Sequence, residues 1–268
     1  MINRLFPLLT LGLLVSLGAC TGDKTTGDDS TSTGDDSSGG GDDSGAVEGI
    51  TISGTASNLL TGAAATAGLC VVAADPTAAV AGGELTILAT STVNADGTFS
   101  VSGVANTSAV GLLVIVEDCE GEGPTVLPTA TGIKKDDYYD LAAGATLSDR
   151  QIYSIDATSQ GAFQAGLTAA GYTGDLATDG ALVGFVLDSS GSPVGGATVA
   201  GPGTATTYYL NADGSFDTDG TDASVNALFV IPAAPVFTYT ASADGYTFSS
   251  VLAGSQPGYA VLIRFVAD

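Results

Sequence analysis

The hexapeptide Asn-Ala-Asp-Gly-Thr-Phe at Asn94–Phe99 returns almost unchanged as Asn-Ala-Asp-Gly-Ser-Phe at Asn211–Phe216, 117 residues later. An Asp-Gly step supports a tight turn because glycine accepts the left-handed backbone that a side chain resists. The phenylalanine two positions on opens the next strand with its ring turned inward. Such a turn belongs between short strands and has no place inside a long helix. Its recurrence makes an internal repeat and implies two related β domains.

The runs around the turns agree. In the first half, strands are expected at Ile50–Ala56, Leu69–Ala74, Leu85–Thr92, Thr98–Val104 and Gly111–Glu117. Leu-Leu-Val-Ile-Val, from Leu112, is apolar at every position, as a strand covered on both faces would be. In the second half the candidates start at Ala181, Gly196, Thr206, Asn226, Phe237 and Tyr259. Phe237, Tyr239 and Ala241 alternate with polar residues, the pattern of a half-buried antiparallel strand. In the last run Val261, Ile263 and Phe265 share one face, while Leu262 and Arg264 take the other. Between the halves, Phe163 and Leu167 lie four apart, with Thr158 or Ser159 as cap and Gly171 as terminator, which predicts one helix. Gly161 and Gly166 weaken it. The expected fold is all-β: two tandem antiparallel sandwiches, residues 48–155 and 180–268, joined by a short helical linker at 156–179.

The second half carries a further pattern. Asp188, Gly191, Pro193-Val194, Gly196-Ala197-Thr198-Val199, the Asp213-Gly214 turn and Asp244-Gly245-Tyr246 occur in sequence. Together they resemble the carboxypeptidase regulatory-like, or transthyretin-like, sandwich family. The resemblance implies a transthyretin-like or Ig-like sandwich over about residues 180–268. Modules of this kind are usually accessory, interaction or carbohydrate-binding-like domains, so the resemblance implies little about activity. The first half lacks the Asp-x-x-Gly-x-Pro-Val signature and matches through its turn and strand order alone.

The chain opens with Arg4, an apolar stretch from Leu5 to Leu17, then Gly18-Ala19-Cys20. That is signal-peptide architecture, its core short for a bilayer span. Leu17-Gly18-Ala19-Cys20 resembles the lipobox of bacterial lipoproteins, which implies cleavage after residue 19 and lipid on Cys20. The alternative is an ordinary secretory signal followed by a chance cysteine. In lipoproteins of this kind Asp after the cysteine signals inner-membrane retention; Thr21 stands there, so the resemblance implies the outer membrane. Residues 20–47 then repeat Gly-Asp-Asp-Ser from Gly27, Gly34 and Gly41. With no apolar residue from Thr21 to Gly45, this segment is expected to be a disordered, self-repelling acidic tether.

Charge and composition exclude much of the remaining chemistry. Twenty-nine acidic residues face six basic ones, a formal charge of −23, and there is no basic patch to meet a phosphate backbone. A nucleic-acid partner is therefore not expected. No histidine occurs anywhere, which removes Ser-His and Cys-His nucleophile activation and histidine zinc sites. Besides Cys20, the cysteines are Cys70 and Cys119, both at strand ends of the first half. In an exported chain one disulfide is the economical reading, two separately buried thiols the other. Asp213, Asp217, Asp219 and Asp222 alternate around a glycine turn, as a calcium site would require, although solvated turn residues show the same pattern. Tyr138 and Tyr139, in Lys134–Asp140, offer aromatic faces for a sugar or protein, or simply sit in a loop with local salt pairs. The expected role is a lipid-anchored, non-catalytic structural or interaction module of the cell envelope, with no cofactor. The alternative is an adhesin that binds glycan or protein, with Ca²⁺ as its one candidate ion.

Overall fold

The computed structural model describes residues 49–119, 124–203 and 205–268. The expected leader (1–19) and the tether (20–47) with Cys20 lie outside them. In the first half, β1 (Ile50–Asn58), β2 (Cys70–Asp75), β3 (Thr86–Thr92), β4 (Thr98–Val104) and β5 (Leu112–Glu117) form at the five apolar runs. Helix α1 (Thr77–Val80) lies between β2 and β3. Three further strands follow: β6 (Val126–Leu127), β7 (Thr129–Ile133) and β8 (Thr146–Asp156). Helices α2 (Ala157–Ala169) and α3 (Leu176–Asp179) then lead to β9 (Ala181–Leu187), β10 (Thr198–Ala200), β11 (Tyr208–Leu210) and β12 (Phe216–Asp217). The chain ends with β13 (Leu228–Pro232), β14 (Phe237–Ser242), β15 (Val251–Ala253) and β16 (Ala260–Val266).

The fold is an all-β sandwich, as its runs imply, built from three sheets. Two are small, β4-β1-β8-β6 and β10-β14-β15; the third has nine strands in the order β12-β11-β13-β9-β16-β7-β5-β2-β3. The halves are thus fused through one sheet rather than hung from a linker. The seam is β16, parallel to β9 on one side and to β7 on the other. β1 and β8 are also parallel. The expectation of purely antiparallel sheets is corrected at these three pairs. Parallel neighbours need a long crossover, and the chain provides one for β1 and β8 by building strands of the opposing sheet in between.

Register shows how the layers stack. Val114 of β5 lies opposite Thr131, and Thr131 lies beside Leu262, so all three point to one face of the nine-stranded sheet. On that face Val114 packs with Ile52, Val101 and Ile152 under the four-stranded sheet, and Leu262 packs under α2. Ile263 and Phe265 point to the opposite face, where they meet Phe229 and Tyr239 under the three-stranded sheet. The two small sheets therefore cover opposite faces of the shared one. Strands β9 and β13 are buried along almost their whole length because both their faces are covered.

Helix α2 belongs to this cover. Phe163 and Leu167 are buried on the sheet, and fully burying a Leu contributes ~1.5–3 kcal/mol. Its cap is Asp156, earlier than the sequence suggests: the carboxylate accepts from the Ser159 N–H at 2.7 Å. Gly171, at φ 101°, ends the helix; Tyr172 N–H bonds to Leu167 O and Gly171 N–H to Thr168 O, a Schellman closure.

The repeated turn is duplicated down to its hydrogen bonds. Asn94 N–H donates to Thr98 O at 2.8 Å and Asn211 N–H to Ser215 O at 2.9 Å. Asp96 accepts from Thr98, and Asp213 from Ser215, through both N–H and hydroxyl. The contexts differ. In the second half the turn joins the paired strands β11 and β12, whereas in the first it carries the chain from β3 in one sheet to β4 in another.

Strand β8 has no regular alternation because it is bulged. Ile52 pairs with Leu147 and Gly54 with Arg150, so β8 carries one extra residue there, with Asp149 at φ 59°. Gly54 makes the bulge fit: a Cβ on it would stand 1.8 Å from the Arg150 carbonyl oxygen. We expect Gly54→Ala to lower stability by about 1–3 kcal/mol or more, as overpacking against rigid backbone does. Gly161 of α2 is the opposite case, since a Cβ added there would meet nothing within 4 Å. Gly161→Ala should add roughly 0.5–1 kcal/mol. Urea midpoints at constant slope read both changes.

Candidate functional site

The residues singled out from sequence are placed as follows. Cys70 and Cys119 form a disulfide with Cα atoms 5.1 Å apart, which fastens the start of β2 to the chain just after β5. Tyr138 is a core residue, and its reading as a ligand face is corrected. It is 1% exposed, its hydroxyl donates to Ser108 O at 3.0 Å, and burial pushes its pKa up. Composition does not distinguish the inward ring of an adjacent tyrosine pair from its outward neighbour. Tyr139 is exposed, with Lys135 Nζ 4.1 Å from its ring centroid. Asp137 in the same loop pairs with Arg150 at 3.2 Å.

The four aspartates of the candidate calcium loop do not converge. Asp213 and Asp222 each accept from the N–H and hydroxyl of the serine two residues on, and Asp222 also accepts from Ala212 N–H. Asp217 accepts from Asp219 N–H and from the Asn211 side-chain amide. Among the described residues no group of three or more carboxylate or cysteine ligands gathers as a metal would need. Local hydrogen bonds, mostly Asx turns, engage the carboxylates of Asp213, Asp217 and Asp222 with nearby backbone and side chains, and that is why alternating Asp residues fail to make a cage here.

The fold instead assembles a groove that no single stretch of sequence contains. It has a volume of about 440 Å³ and opens where the end of β8 passes over β9 and β16. Arg264 is part of its wall. Alternation along β16 puts Arg264 on the same face as Leu262, and register puts it beside Phe185 of β9. Leu262 is covered by the α2 layer, but Arg264 lies beyond it and extends its head group toward water.

Two contacts hold that guanidinium in place. Its central carbon is 5.7 Å from the Tyr153 ring centroid, and Tyr153 itself packs on Phe185 with centroids 5.6 Å apart. Nη2 donates to Tyr153 Oη at 3.3 Å and to Gln151 O at 3.4 Å. Nε and Nη1 have no acceptor among the described residues, and no carboxylate there pairs with Arg264. The groove wall includes Gln151, Asn226 and Thr61 as polar groups and Leu60 and Pro193 as apolar ones, with no Asp or Glu in it. Asp156, behind the wall, is engaged by the Asn58 side-chain amide and by the α2 cap. Arg264 is not among the site residues expected from sequence. The available signal was a rare base inside an apolar run, facing away from Ile263 and Phe265.

No family model matches the chain, and no curated protein does. Solved structures do match. They include the Bacillus anthracis TIE protein, at 12% identity and a TM-score of 0.24 over 82% of this chain. This chain spans about a third of that one, 34%. The shaft pilin SpaA from Lactobacillus rhamnosus GG matches at 10% identity and a TM-score of 0.23, over 82% of this chain and 97% of the pilin. A Streptococcal ancillary pilin matches at 11% identity and a TM-score of 0.22, over 81% of this chain and 68% of the pilin. Likenesses of this extent assign no activity.

The aspartate turns give the protein a predictable response to acid. Asp96, Asp188, Asp213 and Asp222 are all held below the usual carboxylate range, first by the hydroxyl of Thr98, Ser190, Ser215 or Ser224 and then by the N–H of the same residue or one nearby. Depressed carboxylates stabilise the folded state above the unfolded pKa, ~3.9, and that contribution is lost as pH falls through the folded values. Glu117 acts in the opposite sense: burial, and then Asp118, push its pKa up, so its contribution is lost as pH rises through the folded value. Asp75 and Asp118 are lowered as well, so with six groups against one Tm should fall as pH drops below 4. Asp213→Asn combined with Asp222→Asn should flatten the slope, as read by calorimetric scans across acid pH.

Proposed function

We propose that the chain is a lipid-anchored, non-catalytic interaction module of a bacterial cell envelope. The observation that carries this reading is Leu17-Gly18-Ala19-Cys20 behind an apolar stretch headed by Arg4. Acyl chains on Cys20 would each contribute ~0.8 kcal/mol per buried CH₂, so more than one chain gives a lasting anchor. Thr21 in the position after the cysteine favours the outer membrane. The acidic segment at residues 20–47 would then hold the sandwich away from the bilayer surface.

Two features of the folded part support an exported module that works by contact. Its Cys70–Cys119 disulfide suits an oxidising compartment. Its surface has an open groove with Arg264 in the wall, suited to holding a ligand, and in a chain without histidine nothing in that wall resembles a nucleophile with its base.

Membrane fractionation of cells expressing the full chain tests the proposal. The wild type is expected in the membrane fraction with a mature first residue heavier by its acyl groups, and Cys20→Ser in the soluble fraction with an unmodified or uncleaved start. A wild-type protein that is soluble, with an unmodified residue 20, overturns the reading.

A further inference from the structure

We propose that the groove around Arg264 binds a glycan bearing a carboxylate, with the guanidinium holding the acid group. The assignment deepens the interaction-module reading above and rests on it, since it names the class of ligand that such a module would take.

Charge gives the first argument. Acidic residues outnumber basic ones 29 to 6 in this chain, yet the groove wall contains one base and no acid. A surface that excludes carboxylates in so acidic a protein is complementary to a ligand that brings its own. Arg264 is also prepared for that role. Its central carbon lies 5.7 Å from the Tyr153 ring centroid, and Nη2 is tied to Gln151 O and Tyr153 Oη. Nε and Nη1 are left over, on separate edges of the guanidinium, and each keeps an N–H that can make a charge-assisted hydrogen bond to a carboxylate oxygen. A fixed fork loses less entropy on binding than a free side chain.

The remaining wall favours a sugar over a peptide. An extended peptide binds by adding to a strand edge, which requires free backbone donors and acceptors. On the β9 side and in the Asn58–Gly62 turn they are engaged, and on the open edge of β8, which β6 covers only at Ile155 and Asp156, Gln151 O is taken by Arg264 Nη2. Phe185 lies in β9, which is paired on both sides, and Leu59 N–H donates to Ser154 O. Leu60 and Thr61 N–H both donate to the Asn58 side-chain oxygen. The Gln151 and Asn226 amides and the Thr61 hydroxyl suit sugar hydroxyls, and Leu60 and Pro193 suit the C–H face of a ring. The groove's volume, about 440 Å³, lies within the range of small-molecule sites, about 300–1,000 Å³.

Titration calorimetry of the purified mature chain with trigalacturonate tests the assignment, at physiological salt so that the protein's overall negative field is screened beyond ~8 Å. The acid form should bind at least tenfold more tightly than its methyl ester. Arg264→Gln should weaken binding at least tenfold, while Arg150→Gln, an equal change of charge outside the groove, should stay within about twofold. Thr61→Trp, which fills the groove from its exposed side and leaves Arg264 in place, should also abolish binding; it decides the matter if Arg264→Gln fails to fold. Four results would each overturn the proposal: no heat up to about 10 mM ligand, equal affinity for the ester, undiminished binding by folded Arg264→Gln or Thr61→Trp, or tighter binding of trialanine than of the sugar. The fate of Cys20 is read by mass and fractionation, so a failure of this test leaves the anchoring result standing, and the reverse.

Discussion

Strand β16 lies between β9 and β7 and pairs in parallel with both, which makes one sheet of what would otherwise be two domains. Every other layer depends on that placement. The strand presents Leu262 to one cover and Ile263 with Phe265 to the other, so it shares with β9 and β13 the task of joining the cores above and below the sheet. Losing the pairing would expose β7 and β9 edges together with apolar residues on both faces. An open edge of that kind is costly and prone to aberrant pairing. The seam is therefore where local and long-range order are most strongly coupled.

Acidic residues take a distinct structural role around that seam. In turns such as those at Asp96, Asp188, Asp213 and Asp222 the carboxylate accepts from a hydroxyl and an N–H two residues away. A charge that fixes a turn in this way stays at the surface and needs no cationic partner. This explains how a chain with six basic residues forms ordered loops despite its net charge. Among the described residues the single ion pair, Arg150 with Asp137, is partly exposed and adds little, about 0–1 kcal/mol. Turn chemistry and burial hold this protein together, and surface ion pairing does not.

Much of this is legible in the sequence, for reasons that can be stated residue by residue. The apolar runs place most of the strands because burial and period-two alternation act locally, and the Asn-Ala-Asp-Gly turn is legible because its hydrogen bonds close within five residues. Strand β8 is not, since the bulge at Asp149 interrupts the alternation between Leu147 and Ile152. Neither is the fusion of the halves. Which strand neighbours β16 is decided by packing across more than a hundred residues, and nothing in Ala260–Val266 names β7. The same limit applies to the site. Arg264 can be assigned a face by alternation, but Tyr153 and Gln151, which fix its geometry, come from the other half of the chain. Conversely, Tyr138 and the aspartates of the second repeated turn stand out locally and serve the core and the turns.

The position of the groove follows from the seam. Its wall is drawn from β8 and the Asn58–Gly62 turn of the first half and from β9 and β16 of the second. These elements come together only because β16 fuses the sheets and β8 runs on past its own sandwich toward α2. A ligand seated on Arg264 would therefore touch both halves at once. Binding that requires the native seam must stabilise it by mass action, whatever the ligand's identity. In a protein held by turns and a shared sheet, with few long-range polar ties, a cation clamped at the junction is the group best placed to make the seam respond to what the surface touches.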